Sequence, residues 1–168
     1  LPHLKIESLR GNLQTRLRKL DEGQYAAIIL AAAGLIRLGL EARIRNAISA
    51  ELSIPAVGQG ALGIEISASR TDLLAILAPL NHADTQVCVE AERGMSRALA
   101  GSCTVPLGAY ATCKADKIHI TGFVASLDGT QMLVECISGS RNQAEALGKA
   151  LADQLRAKGA DKILALLD

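Results

Sequence analysis

The sequence predicts an α/β half followed by a small α+β domain with a three-stranded antiparallel sheet and helices. In the first half, amphipathic helical stretches alternate with apolar runs of strand length, which is typical of α/β chains with a mostly parallel sheet. In the second half, one long helical pattern precedes three strand-like segments and two further helical patterns. The length of 168 residues allows one domain or two small ones.

The composition excludes several classes of protein. Apolar residues make up 49% of the chain and charged residues 21%, as in a folded, soluble protein. Aromatic residues make up 2%, too few for the stacking platforms of a nucleic-acid-binding module, and the net charge is only +1. The sequence has no apolar run of the roughly 18 residues that a membrane span needs, and no secretion signal. We therefore expect a cytoplasmic protein that binds neither nucleic acid nor membranes.

The first half is predicted to begin with a helix at 12–22, with Asn12 as its N-cap and Gly23 at its end. The helical spacing is carried by Leu13, Leu17 and Leu20. The apolar run at 25–30 predicts a strand buried on both faces. Short helices are predicted at 31–38 and 41–48.

The stretch 54–66 is an apolar run interrupted by glycines, which in strands usually mark a bulge or a close approach of two backbones. It is predicted to be a linker that becomes a strand near 62–66. A short helix is predicted at 71–80.

The second half is predicted to begin with a helix at 84–99. Its apolar stripe consists of Val87, Ala91, Met95 and Ala98. A loop follows at 101–106. Asp128-Gly129 predicts a hairpin between two of the strands. The remaining elements are strands at 105–113, 117–126 and 130–138 and helices at 141–158 and 161–167.

An excess of basic residues in the first 45 positions, eight Lys or Arg against four Asp or Glu, has two interpretations. It is either a solvated helix face or an anion site. Arg10 precedes the first helix, Arg16 lies about one turn after Asn12, and Arg37 closes the next predicted helix. A helix N-terminus attracts anions, and arginine binds carboxylates through two parallel N–H groups. Three arginines around one cleft would suit a substrate with several carboxylates.

The four cysteines form no CxxC pair and have no histidine at zinc-finger spacing, so no metal site is expected. Cys103 lies in a polar Gly-Ser-Cys-Thr loop, where exposure favours covalent chemistry, although an inert thiol is the alternative. Cys88, Cys113 and Cys136 fall in predicted helix or strand and are expected to be buried structural residues.

The spacing of the other polar side chains along the sequence does not indicate a catalytic group. None of the three histidines has a serine, aspartate or metal-ligand partner at a telling distance along the chain. Glu90, Glu92 and Arg93 lie on the helix at 84–99, where they are expected to pair along the helix or to be solvated.

Four segments resemble motifs of the porphobilinogen deaminase family, also called the hydroxymethylbilane synthases. They occur in the family's order and cover almost the whole chain: Leu9 to Leu17, Ala27 to Gly39, Leu52 to Glu65, and Glu90-Ala-Glu-Arg continuing to Gly101-Ser-Cys-Thr-Val-Pro-Leu-Gly108. On this resemblance the chain is identified as the C-terminal portion of a member of the family.

The resemblance implies an enzyme of haem and other tetrapyrrole biosynthesis. The family joins four porphobilinogen molecules head to tail, with release of ammonia, into hydroxymethylbilane. The primer is a dipyrromethane cofactor attached by a thioether to a cysteine, which Cys103 matches. Arg10, Arg16 and Arg37 match arginines that bind carboxylates of cofactor and substrate, and Gln59 matches a position lining the cofactor cleft. No catalytic residue is expected in this chain, because the family's general-acid Asp precedes the matched region.

The resemblance also implies a domain layout. Residues 1–54 match the C-terminal part of a periplasmic-binding-protein-like α/β domain, the family's second. Residues 55–80 match the hinge and the segment that returns to the first domain. Residues 81–168 match the third domain, which carries the cofactor cysteine. The family implies a monomer at full length, with the N-terminal half either preceding this chain or present as a companion chain.

The sequence leaves two alternatives open. A chain without the general acid could be an inactive fragment that at most binds an anion. An α/β half-domain could also be a small-molecule binding module without chemistry, although such a module needs no tethering thiol. Ala26 and Ser102 differ from the Asp and Gly that the family usually has at those positions.

Overall fold

The computed structural model describes residues 3–99 and 105–166. The chain divides into two compact units, 1–47 and 48–168. The helices are α1 (Leu13–Asp21), α2 (Ala32–Arg37), α3 (Asp72–Leu77), α4 (Ala83–Ala98), α5 (Ala144–Ala157) and α6 (Ala160–Leu164). The strands are β1 (Leu107–Lys114), β2 (Lys117–Ala125) and β3 (Met132–Ser140). Short 3₁₀ turns lie at Glu41–Arg43, Ala78–Leu80 and Arg141–Gln143.

Helix α1 has the predicted ends. The Asn12 side chain accepts a hydrogen bond from the Thr15 N–H at 2.8 Å, which satisfies one of the free donors of the first turn. Gly23 follows the last turn at a φ of +74°, a conformation that glycine adopts without strain. Leu17 is buried, so the predicted apolar stripe has a covered position.

Two other predictions for the first unit are wrong. The run 25–30 forms no strand, because no described segment pairs with its backbone, and Ile29 is 82% exposed. The predicted helix at 41–48 is reduced to the 3₁₀ turn Glu41–Arg43. Helix α2, by contrast, matches the prediction for 31–38 and buries Leu35.

The stretch between the first unit and α4 holds α3 and its 3₁₀ extension, as predicted, but no strand. The strand predicted at 62–66 is wrong: Leu62 is 74% exposed and Ile64 58%. Since a strand needs a hydrogen-bonded neighbour, apolar content alone does not produce one. Within the described residues there is accordingly no parallel sheet.

The predicted three-stranded antiparallel sheet is confirmed, in the order β1-β2-β3. The hairpin between β2 and β3 turns at Asp128-Gly129, also as predicted. The Asp128 carboxylate accepts a hydrogen bond from the Thr130 N–H at 3.1 Å, and Gly129 has a φ of +70°. Ser126 N–H donates to the Gln131 carbonyl at 2.9 Å and closes the loop.

The core lies between one face of this sheet and helices α4, α5 and α6. Alternate residues of β2 are buried, and the predicted stripe of α4 and the buried side chains of α5 face them. The largest side chains without exposed surface are Met95, Ile118, Ile120, Leu151, Leu155 and Val124.

Helices α4 and α5 touch through their main chains. A Cβ at Gly94 would lie 2.7 Å from the Glu145 carbonyl oxygen. A Cβ at Gly148 would overlap the Ala91 carbonyl and lie 2.8 Å from the Met95 nitrogen. Glycine is therefore required at both positions for this close approach.

Candidate functional site

The first candidate site is a cleft of about 450 Å³ within the first unit, which we call the arginine cleft. It contains Arg16 from the second turn of α1 and Arg37 from the end of α2. Its other lining residues are Gly11, Asn12, Leu13, Leu30, Ala31, Gly34 and Leu38. The structure thus brings together two of the three predicted site arginines.

Arg16 is held at the N-terminal end of α1. Its Nε donates to the Gly11 carbonyl at 2.8 Å, which directs the guanidinium back over the start of the helix. Gly11 has a φ of +122°, and a Cβ there would lie 2.9 Å from the Thr15 methyl group. Only glycine makes this turn without strain, so Gly11 sets the entry to the helix and the position of Arg16.

The charges of the cleft distinguish it from a solvated basic face. Arg18 and Arg43 of the same unit pair with carboxylates, at 3.7 Å to Glu22 and 2.5 Å to Asp21. In the part of the chain that the structure describes, neither Arg16 nor Arg37 pairs with a carboxylate. Two unneutralised guanidinium groups beside a helix N-terminus favour an anion carrying more than one carboxylate.

Arg10, the third predicted arginine, is exposed and lies directly before Gly11, but it does not line the cleft. Its carbonyl accepts a hydrogen bond from Lys19 Nζ at 3.4 Å. Arg10 is therefore adjacent in sequence to Gly11, which lines the cleft. Its role as a binding residue remains a prediction.

A second cleft, of about 370 Å³, lies within the second unit and is called the hinge cleft here. One wall is the segment 55–61, which includes the predicted residue Gln59. The opposite walls come from α4 and β1: Asp84, Thr85, Cys88, Val89, Glu92, Tyr110 and Ala111.

Glu92, which lines the hinge cleft, is a residue whose surroundings the sequence analysis predicted wrongly. Expected to be paired or solvated, it is only 6% exposed. One carboxylate oxygen accepts from the Gly58 N–H at 2.7 Å and the other from the Ala111 N–H at 2.9 Å. Burial raises the pKa of this carboxyl, although the two N–H donors act in the opposite direction.

Glu92 therefore fastens the hinge segment to the helix–sheet layer through main-chain donors on both sides. A second close approach supports the same attachment, because a Cβ at Gly108 of β1 would lie 2.5 Å from the Pro55 carbonyl oxygen. Gly58 itself has a φ of +70°, which turns its N–H toward Glu92. One sequence signal could have found Glu92: positions 88, 91, 92 and 95 form the wider apolar stripe of a helix packed on a sheet.

The cysteines are distributed differently from the prediction. Cys88 and Cys113 are half-buried and in contact, with their Sγ atoms 3.6 Å apart. Burial, and next the contact with Cys113, raises the pKa of the Cys88 thiol to about 12. Cys136 was expected to be buried and is exposed, because it lies on the side of β3 that faces away from the helices. Cys103 lies outside the described residues.

Two histidines have local structural partners. His82 caps α4 by accepting from the Thr85 N–H at 3.3 Å. His119 lies 2.8 Å from the Ser138 hydroxyl across the β2–β3 pair. Among the described residues, no three His, Cys, Asp or Glu side chains cluster so that they could hold a metal ion. None of the described helices combines the length and apolarity needed to cross a membrane.

Comparison with known families gives two matches that follow one another along the chain. The family model described as "Porphobilinogen deaminase, dipyromethane cofactor binding domain" matches residues 1–75. The one described as "Porphobilinogen deaminase, C-terminal domain" matches residues 86–157. The dipyrromethane cofactor implied by the family resemblance is thus the group for which the first of these domains is named.

Curated relatives carry the same name. The porphobilinogen deaminase of Methylobacillus flagellatus is 70% identical over 166 residues, which are 99% of this chain and 54% of the relative. That of Thiobacillus denitrificans is 57% identical over 163 residues, 97% of this chain and 53% of the relative. That of Nitrosomonas europaea is 55% identical over 166 residues, 99% of this chain and 54% of the relative. The chain spans about half the length of the curated relatives it matches.

Proposed function

Because this chain belongs to the porphobilinogen deaminase family, we propose that it forms part of an enzyme that joins porphobilinogen molecules into hydroxymethylbilane. The reaction class is a transferase reaction that releases ammonia at each condensation. The arginine cleft is the observation that carries the proposal. It combines two guanidinium groups without carboxylate partners, a capped helix N-terminus and an apolar wall within one unit.

The donor set of the arginine cleft fits a dipyrromethane. Each pyrrole ring of that group carries an acetate and a propionate, which are the carboxylates that arginine recognises. Leu30, Ala31 and Gly34 give the cleft an apolar wall for the rings, and a Cβ at Gly34 would meet nothing within 4 Å. Arg16 and Arg37 would hold the carboxylates, with Arg10 and Gln59 as further proposed binding residues.

When bound, the dipyrromethane supplies the pyrrole carbon from which the product chain grows. Cys103 would hold it through a thioether. The arginines neutralise the carboxylates of the cofactor and of porphobilinogen and so orient the rings. Glu92 keeps the hinge segment that contains Gln59 at a fixed distance from α4. No catalytic residue is assigned in this chain, and the general-acid Asp is expected in the N-terminal half.

The proposed domain layout explains the exposed apolar surface of 61–80. In this layout 1–54 belong to a periplasmic-binding-protein-like α/β domain, 55–80 to the hinge and the returning segment, and 81–168 to the third domain. The N-terminal half would cover side chains such as Leu62 and Ile76, which are 74% and 67% exposed. It would also supply hydrogen-bonding neighbours for the two runs predicted as strands. The complete protein is proposed to be a cytoplasmic monomer.

Intact mass tests the cofactor assignment. The chain is produced together with the N-terminal half of the Methylobacillus flagellatus relative, and the mixture is denatured and weighed. We expect this chain to be heavier than its sequence by one dipyrromethane. Cys103→Ser should abolish the added mass, and Cys136→Ser, which alters an exposed thiol, should keep it. An unmodified mass for the wild-type chain would overturn cofactor attachment and leave an inactive, anion-binding fragment as the better interpretation.

Hydroxymethylbilane formation by the same two-chain preparation tests the arginine cleft. Arg16→Gln or Arg37→Gln should lower the rate about tenfold or more, because each removes a charge-assisted hydrogen bond to a carboxylate. The matched control is Arg45→Gln, which removes an exposed arginine outside the cleft. Equal rates for all three variants would show that the cleft does not bind the carboxylates.

A further inference from the structure

We propose that Cys88 and Cys113 form an oxidation site, at which a small-molecule disulfide converts the two thiols into a disulfide bond between α4 and β1. The two sulfur atoms are already in contact at 3.6 Å. A disulfide bond is about 2.05 Å long, so the atoms have to approach by about 1.5 Å. Both residues lie on elements that pack against each other in the core, which keeps the pair together.

The arrangement separates this pair from the other thiol that the structure describes. Cys113 is on the face of the sheet that is turned to the helices, in register with the buried Ile118. Cys136 is on the opposite face, paired in register with Thr121, and is exposed. Alternation along the strands therefore places these two sulfurs on different sides of the sheet.

A small oxidant has access to Cys88 through the hinge cleft. Cys88 lines this cleft together with Asp84 and Thr85. The cleft volume of about 370 Å³ is large enough for part of a small-molecule disulfide such as glutathione disulfide. Burial raises the pKa of the Cys88 thiol, which slows its exchange with a small disulfide as well as its alkylation. Its contact with a second sulfur makes the intramolecular step the favoured one.

The chemistry is two successive exchanges. One thiol of the pair, after losing its proton, attacks the small disulfide, forms a mixed disulfide and releases one small thiol. The second protein thiol loses its proton, attacks the protein sulfur of the mixed disulfide and releases the second small thiol. The two protein thiols are oxidised by two electrons in total, the reagent is reduced to two thiols, and both protons end on those products.

Peptide mapping tests the site. The full chain is treated with glutathione disulfide at neutral pH, quenched with acid, alkylated and digested with trypsin and chymotrypsin. Cleavage after Tyr110 separates Cys113 from Cys103, so a cross-linked peptide identifies the partners. We expect a product lacking two hydrogens in which Cys88 is joined to Cys113. Cys136→Ser should give the same product.

The single variants provide the controls. Cys88→Ser and Cys113→Ser should lose the cross-link and carry one glutathione on the remaining member of the pair. A wild-type chain that carries only mixed disulfides at these two positions would overturn the proposal. So would a cross-link that joins either of them to Cys103 or Cys136. The wild-type result decides the question even where a variant folds poorly.

Discussion

The parts of the chain before and after residue 82 contain similar proportions of apolar residues, but they bury these residues to different extents. In 83–166, six large side chains including Met95 and Leu151 are fully buried between the sheet and the helices. In 3–80, only Leu17 and Leu35 are buried, whereas Ile6 and Ile29 are 93% and 82% exposed. The difference shows that apolar content becomes a core only where complementary faces come from the same stretch of chain.

The largest effect should come from removing core volume on one side of this comparison. Leu151→Ala in α5 should lower the free energy of unfolding by about 2–5 kcal/mol, because it leaves a cavity under the sheet. Leu74→Ala in α3 removes the same atoms from a side chain that is 59% exposed. This substitution should change the free energy of unfolding by less than about 0.5 kcal/mol. Urea unfolding followed by circular dichroism measures both. Equal losses would contradict the comparison.

The same contrast explains which secondary structure the sequence could predict. Helices α1, α4 and α5 follow from periodicity and caps that lie within each segment, and the β2–β3 hairpin follows from its turn residues. The runs at 25–30 and 62–66 have strand-like composition, but a strand also needs a neighbour that composition does not reveal. A prediction from local pattern therefore fails where no described segment supplies the hydrogen-bonding partner.

An intermediate effect is expected at the contact that joins the hinge segment to the helix–sheet layer. Glu92→Ala removes both acceptor oxygens and leaves the Gly58 and Ala111 N–H groups without partners. The free energy of unfolding should fall by about 1–3 kcal/mol. Glu90→Ala, the same change at an exposed position of the helix, should have little effect.

The pH dependence of this loss gives a sharper test. Since the pKa of Glu92 is raised in the folded state, the folded chain holds this proton more tightly than the unfolded chain. The contribution of Glu92 to stability is therefore fully present below its ordinary pKa of 4.5 and declines as the pH rises through the raised value. Urea midpoints of wild type and Glu92→Ala should converge with rising pH. Parallel curves would show that the carboxyl is not desolvated.

The smallest effect is expected in the first unit. Asn12→Ala removes the cap of α1 and should cost about 1 kcal/mol, confined to that helix. Amide hydrogen exchange measures this directly: protection should fall in α1 and stay unchanged in α4 and α5. Loss of protection in all three helices would show that the units unfold as one.

The candidate site was predicted in part, for reasons that individual residues make clear. Arg16 and Arg37 could be proposed because an excess of charge and helical spacing are visible in the sequence. Their meeting in one cleft depends on the turn at Gly11, whose φ of +122° the sequence does not give. Glu92 was missed because charged residues on helices are usually solvated, and only its two main-chain donors explain why it is buried.

The main-chain contact between α4 and α5 at Gly94 and Gly148 has a mechanical consequence. Helices separated by long side chains can slide by changing rotamers, whereas two backbones in direct contact have no such compliance. The two helices therefore move as one rigid body. Helix α4 carries Glu92 and with it the hinge segment. In the sequence, α4 ends a few residues before Cys103. A movement of α5 is therefore passed on to α4 and to the hinge segment.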